Sequence, residues 1–282
     1  SAGNSFLRYD EQLDVYKMHN IFSEYLKKQI EKQGSSIEAE ALYKRSGQWY
    51  IRSGDILSGL SFLLKAKEYD LILTEFERHG ATQELDKDPQ LIVEVFSQIP
   101  DEVKHRHPMS YLTYAYNYIS SVDMEGGAEL LAQIEEHYRN DESIPDELRR
   151  RIAGEIELAG SFLYFNDLEK MNEKYLNAYS LLDGRSSIAN KDMIFTFGTP
   201  HTLYLYYREK GRLLWIVEYL DNYFHYFCEL SKGCGSGFED LTRAEYCLET
   251  ADFNQAELYA FKSIYKAKPM EQTSLIICAS LT

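Results

Sequence analysis

Three glycines at alternate positions, Gly233, Gly235 and Gly237, stand before an apolar run that opens at Phe238. Such an arrangement can bring backbone N–H groups close to an anion at a helix start. A phosphate cradle also needs a strand before the loop and a Lys or acidic partner at a set distance after it; neither is present, so the run reads as a turn between helices. Ser236 lacks glycine two positions to either side, which excludes a nucleophile elbow. His225, Cys228, Cys234 and Cys247 are donors that zinc prefers, but their spacing is not that of paired knuckles, and we expect free thiols. His105-Arg106-His107 beside Pro108 lacks the i, i+4 pairing of a helical metalloprotease motif and reads as a solvated turn. No carboxylate pair is singled out for acid–base work. The expectation is a non-enzyme with no catalytic residue, no metal and no cofactor bound by this stretch.

Binding chemistry is better supported. The chain carries 23 tyrosines and 14 phenylalanines, and tyrosine joins a large apolar ring to a hydroxyl. Tyr111, Tyr114 and Tyr118 share a helix face, as do Tyr204 with Tyr207 and Tyr175 with Tyr179. Between residues 195 and 201 the helical register is interrupted by Phe-Thr-Phe-Gly-Thr-Pro-His, and long irregular connections in a helical array are where function concentrates. We therefore expect Phe195, Phe197, His201, Tyr204, Tyr207, Glu239 and Tyr246 to line one concave ligand-binding patch.

The elements that must position these residues are helices. Of 282 residues, 44% are hydrophobic and 27% charged, which fits an ordinary globular composition. A net charge of −15 excludes this segment from gripping phosphate backbones and disfavours an anionic membrane surface. No run approaches the roughly 18 apolar residues of a membrane span. All four cysteines fall in the last quarter without a framework, so reduced thiols in a cytoplasmic protein are expected. The start at Ser1 without Met and the end inside an apolar helical pattern lead us to expect a piece of a longer protein.

Two short alternating segments before residue 19 read as a β-hairpin, followed by a helix over Ile21 to Ile30 that ends at Gly34. From Ser36 amphipathic helices follow one another, among them Pro89 to Gln98, Leu168 to Leu182, Pro200 to Glu209 and Leu213 to Leu230. Turns at Asp123, Asn166-Asp167, Lys210-Gly211 and Ala251-Asp252 recur about 41 to 44 residues apart, with an earlier one at Gly54-Asp55. That is the spacing of a helix-pair repeat, in which each pair seals its apolar face on the next. The expected fold is all-α: an α-α superhelix of tetratricopeptide-like antiparallel helix pairs over residues 35–282, with a small hairpin and helix over residues 1–34.

The run Tyr16-Lys17-Met18-His19-Asn20-Ile21-Phe22-Ser23-Glu24-Tyr25-Leu26, followed by Leu42-Tyr43-Lys44-Arg45-Ser46-Gly47-Gln48-Trp49-Tyr50, resembles the junction of winged helix and helical repeats in MalT-like LuxR-family regulators. Gly54 to Gly59 and Lys65 to Asp70 are similar to the family's first repeat, and the segments 195–200 and 233–239 to parts of its Firmicute-type members. The resemblance implies a bacterial transcription regulator: a nucleotide-binding switch domain, a winged helix, a superhelical sensor and a promoter-binding helix-turn-helix. Residues 1–34 would then end the winged helix, and residues 35–282 would form the sensor. It implies as partners a small-molecule or peptide inducer, or a regulatory protein, together with other domains of the same chain and possible self-association. No G-x-x-x-x-G-K-[ST] loop and no basic recognition helix occur here, so ATP and DNA would belong to other parts of such a protein.

Overall fold

A computed structural model describes residues 6–10, 15–22, 24, 25, 28, 36–79, 87–193, 195, 196 and 201–282. Among them nearly all regular structure is helical; the remainder is one pair of four-residue strands. The chain divides into two compact units, Ser1–Glu68 and Tyr69–Thr282. The boundary expected between residues 34 and 35, and the helix end expected at Gly34, lie outside the described residues.

In the first unit β1 (Leu7–Asp10) pairs antiparallel with β2 (Val15–Met18), Leu7 opposite Met18 and Tyr9 opposite Tyr16. The Phe6 ring stacks on Phe22 at 4.5 Å, in a stretch where residues 20–22 are helical. Helices α1 (Ser36–Arg52) and α2 (Ile56–Lys65) follow and pack on each other. Their crossing is made by two glycines. A Cβ on Gly47 would sit 3.0 Å from the Gly59 carbonyl oxygen, and one on Gly59 would sit 3.0 Å from that of Gly47, so neither position admits a side chain without parting the helices.

The second unit contains α3 (Tyr69–His79), α4 (Pro89–Gln98), α5 (Asp101–Arg106), α6 (Pro108–Ser121), α7 (Met124–Asn140), α8 (Asp146–Ser161) and α9 (Leu168–Leu182). The described residues between 183 and 212 are irregular apart from a 3-10 turn, Thr202–Leu205, and lead to α10 (Leu213–Tyr223), α11 (His225–Leu230), α12 (Phe238–Glu249), α13 (Phe253–Ala267) and α14 (Thr273–Leu281). Sequence-adjacent helices pack as pairs, most extensively α6 with α7, α8 with α9, and α12 with α13. Near its start the unit's core is aromatic: Phe96 stacks on Tyr114 at 4.0 Å and meets Phe76 edge-on at 5.0 Å.

The recurring turns have a common chemistry. Asp55, Asp123, Asp167 and Asp252 stand before α2, α7, α9 and α13, and each carboxylate accepts from an N–H of the first turn, at Ser58, Gly126, Lys170 and Gln255 respectively. At three of them the aspartate's own N–H bonds a carbonyl five residues back, at Tyr50, Tyr118 and Cys247, closing the preceding helix. One residue thus ends one helix and starts the next. The turn at Gly211 lacks the aspartate, and Arg212 caps α10 without a side-chain bond.

Two expected helices fold otherwise. The spacing predicts a helix over Pro200 to Glu209, but the described part forms only a short 3-10 turn, Thr202–Leu205, because a buried carboxylate takes the N–H groups of Thr202 and Leu203 and fixes the chain there. The single helix predicted over Leu213 to Leu230 breaks at Phe224, whose ring sits in an aromatic cluster with Phe195, Phe227 and Phe238.

The start of the irregular stretch is held by Glu155 of α8, which is fully buried. It accepts from the Ser186 hydroxyl at 2.6 Å and from the Ser187 N–H, while the Ser186 oxygen accepts from the N–H groups of Ile188 and Ala189. Burial raises the Glu155 carboxyl above the usual carboxylate range, against the pull of these donors. A carboxyl with a raised folded pKa stabilises the fold fully below its unfolded pKa and loses that contribution as pH rises through the folded value. Glu155→Gln removes the titration. The urea midpoint of wild type relative to E155Q is therefore expected to fall as pH rises above the ordinary carboxylate range, and a difference that stays constant with pH would contradict this.

Candidate functional site

A cavity of about 390 Å³ lies within the second unit, enclosed by α6, α9, α10, α11, α12, the 3-10 turn after α8 and the irregular stretch. Tyr116 and Ile119 come from α6, and Phe162 and Phe165 from the end of α8 and beyond. Leu168, Met171, Asn172 and Tyr175 come from α9, while α10 gives Tyr219, Leu220 and Tyr223. Phe224, Phe227, Cys234 and Phe238 close one side, and Met193, Phe195, Thr196, Thr202, Leu205 and Tyr206 close another. Within this lining Phe238 meets Phe195 and Phe224 at 4.9 Å each, Tyr175 meets Phe227 at 5.2 Å, and Tyr116 meets Phe162 edge-on at 4.8 Å. Met124, Phe165, Leu205 and Tyr223 are partly exposed and form the apolar rim.

Among the described residues, no Asp, Glu, Lys, Arg or His lines the cavity. Burial holds three of its titratable groups neutral: the Tyr206 phenol is pushed up to about 12, Tyr175 higher still, and the Cys234 thiol to about 12. A thiol so placed is not a nucleophile, because the thiolate is the reactive form. The lining offers aromatic surface and a few neutral hydrogen-bonding groups, which is the chemistry of binding.

The wall is pinned from behind by Glu245 of α12, 1% exposed. It accepts from the Thr202 N–H at 2.8 Å, the Leu203 N–H at 2.6 Å and the Thr202 hydroxyl at 3.1 Å. The glycine run serves the same stretch. The Gly235 N–H donates to the Gln272 side-chain oxygen at 2.9 Å, and the Gln272 amide donates to the Lys191 carbonyl at 2.8 Å. The N–H groups of Gly233, Ser236 and Phe238 bond the carbonyls of Cys228, Gly233 and Gly235, so these amides close the local turn.

Of the residues expected to share a patch, Phe195 lines the cavity, half-buried against Phe224, Phe227 and Phe238. Phe197 lies outside the described residues. His201, Tyr204 and Tyr207 form a chain of rings at 5.7 and 6.3 Å, with His201 Nδ1 3.9 Å from Glu249, but none of them lines the cavity. Glu239 pairs with Lys266 at 2.7 Å, and Tyr246 is half-buried two turns farther along α12. Tyr206, between two of the expected tyrosines, is the one that enters the cavity.

Elsewhere, His107 and Arg106 converge on Asp70 at 3.1 and 2.8 Å, and His105 stacks on His137 at 3.6 Å. Burial, then the neighbouring His137, lowers the His105 pKa. The four cysteines are free thiols, and among the described residues no group of three or more His, Cys, Asp or Glu is placed to hold a metal ion. No described helix is long and apolar enough to cross a membrane. Comparison with known proteins returns no matching family model, no matching curated protein and no matching solved structure.

Proposed function

We propose that this chain is a ligand-sensing region that takes a small molecule into the aromatic cavity of its second unit. The observation that carries the reading is a space of about 390 Å³ in a helical body, with no charged group among its described lining residues and within the size range of small-molecule sites. The resemblance to MalT-like LuxR-family regulators supplies the wider setting: an inducer bound here would bias an ATP-dependent oligomerisation switch carried by other domains of a longer protein. A ligand does this only by binding one state better than the other, with couplings typically of about 1–3 kcal/mol. In that setting the two N-terminal strands are the end of the winged helix and the paired helices a tetratricopeptide-like superhelical sensor.

The test is thermal stabilisation by a panel of neutral aromatic and alicyclic molecules. A ligand at a hundred times its Kd stabilises by about 2.7 kcal/mol, and the gain should vanish in Leu220→Trp, which fills the space. No stabilisation across the panel would remove the reading. A second reading, a scaffold that recruits a protein without a ligand switch, is favoured by the exposed rings of Phe253, Phe261 and Tyr265 on α13. It calls for peptide binding that survives Leu220→Trp and is lost in Phe261→Ser.

A further inference from the structure

We infer that the cavity recognises a neutral ring compound by a hydrogen bond from the ligand, an O–H or N–H group meeting the side-chain oxygen of Asn172. The inference rests on the cavity being a ligand site, as proposed above, and adds what that site selects.

Asn172 is only 7% exposed and stands among the aromatic lining residues. Its Oδ1 has no hydrogen-bond partner. Tyr175, Phe227 and Phe238 lie with it in the lining, so the atoms around it are mostly apolar. The amide oxygen is thus buried and bare in a mostly apolar wall. Buried polar atoms in folded proteins are almost always paired, and an acceptor kept unpaired at a cavity wall favours an occupant that donates.

Charge selects further. With no cationic side chain among the described lining residues, a carboxylate or phosphate would meet no counter-charge there, which opposes its burial. Shape selects as well: Phe162, Phe165, Tyr206, Phe224 and Phe238 present faces and edges suited to a flat partner. At the packing density of protein interiors the space holds about 290 Å³ of ligand, enough for several fused rings. The class is a polycyclic alcohol, phenol or amine in its uncharged form.

The experiment compares four fluorescent pyrenes substituted at one ring position: hydroxypyrene, methylpyrene, methoxypyrene and pyrene carboxylate. Hydroxypyrene should bind wild type about tenfold more tightly than methylpyrene, the size of one neutral hydrogen bond. Methoxypyrene, which only accepts, should not share the gain, and the carboxylate should bind more weakly than all three. In Asn172→Leu the hydroxyl-to-methyl ratio should fall to about one, with methylpyrene bound at least as well as before. Equal binding of hydroxypyrene and methylpyrene by wild type would overturn the assignment while leaving the cavity as a ligand site. A preference for methoxypyrene, or a ratio that survives Asn172→Leu, would overturn it too. Failure of every pyrene to bind wild type would remove both readings. Should N172L not fold, the order of the probes on wild type decides alone.

Discussion

Glu245→Ala is expected to lower the stability of the second unit by about 3–5 kcal/mol and to abolish ligand uptake by the cavity. The carboxylate is buried and gives its lone pairs to two backbone N–H groups and one hydroxyl of the Thr202–Leu203 turn. Alanine leaves two buried donors unpaired, each at a cost of about 1–3 kcal/mol, and the Thr202 hydroxyl can turn to recover only its own bond. Because Thr202, Leu205 and Tyr206 line the cavity, release of the turn opens its wall. Glu245→Gln keeps the shape but replaces one acceptor oxygen with an amide that faces donors, so about half the loss is expected. Urea midpoints and pyrene fluorescence read the two consequences separately. A Glu245→Ala protein within about 0.5 kcal/mol of wild type would show that the turn does not depend on this carboxylate.

That dependence also marks what could be read in advance from the residues. Periodicity set α4 as Pro89–Gln98 and α9 as Leu168–Leu182, both as they occur, because each is an amphipathic stripe with local start and stop signals. The aspartate turns were visible for the same reason: the cap, its N–H partner and the closing carbonyl lie within a few residues. Nothing local marks Glu155 or Glu245 as buried, since their partners lie 31 to 43 residues away and surface glutamates look the same in sequence. The reading of Tyr204 and Tyr207 as a shared face assumed helix; a 3-10 turn anchored by Glu245 leaves Tyr204 exposed and carries Leu205 and Tyr206 into the lining. The cavity itself is a gap between well-formed faces, and hydrophobic pattern reports which faces are buried, not whether they meet.

Gly237→Ala should cost about 3 kcal/mol, against about 1 kcal/mol for Gly211→Ala in the same unit. Both glycines have left-handed backbones, with φ of 96° and 87°, so a side chain at either pays the same conformational cost. The surroundings differ. A Cβ on Gly237 would lie 2.6 Å from the Ser263 carbonyl oxygen and 3.2 Å from its Cα, whereas one on Gly211 would meet nothing within 4 Å. The obstacle at Gly237 is backbone of α13, which cannot rotate aside, so α12 and α13 must part to admit a methyl group. The difference between the two variants' denaturation midpoints isolates that crowding from the strain they share. Equal losses would mean that the interface of α12 and α13 yields freely. A threefold excess would give the last glycine of the run its physical role, a close crossing of two helices beside the cavity wall, with no anion needed to explain it.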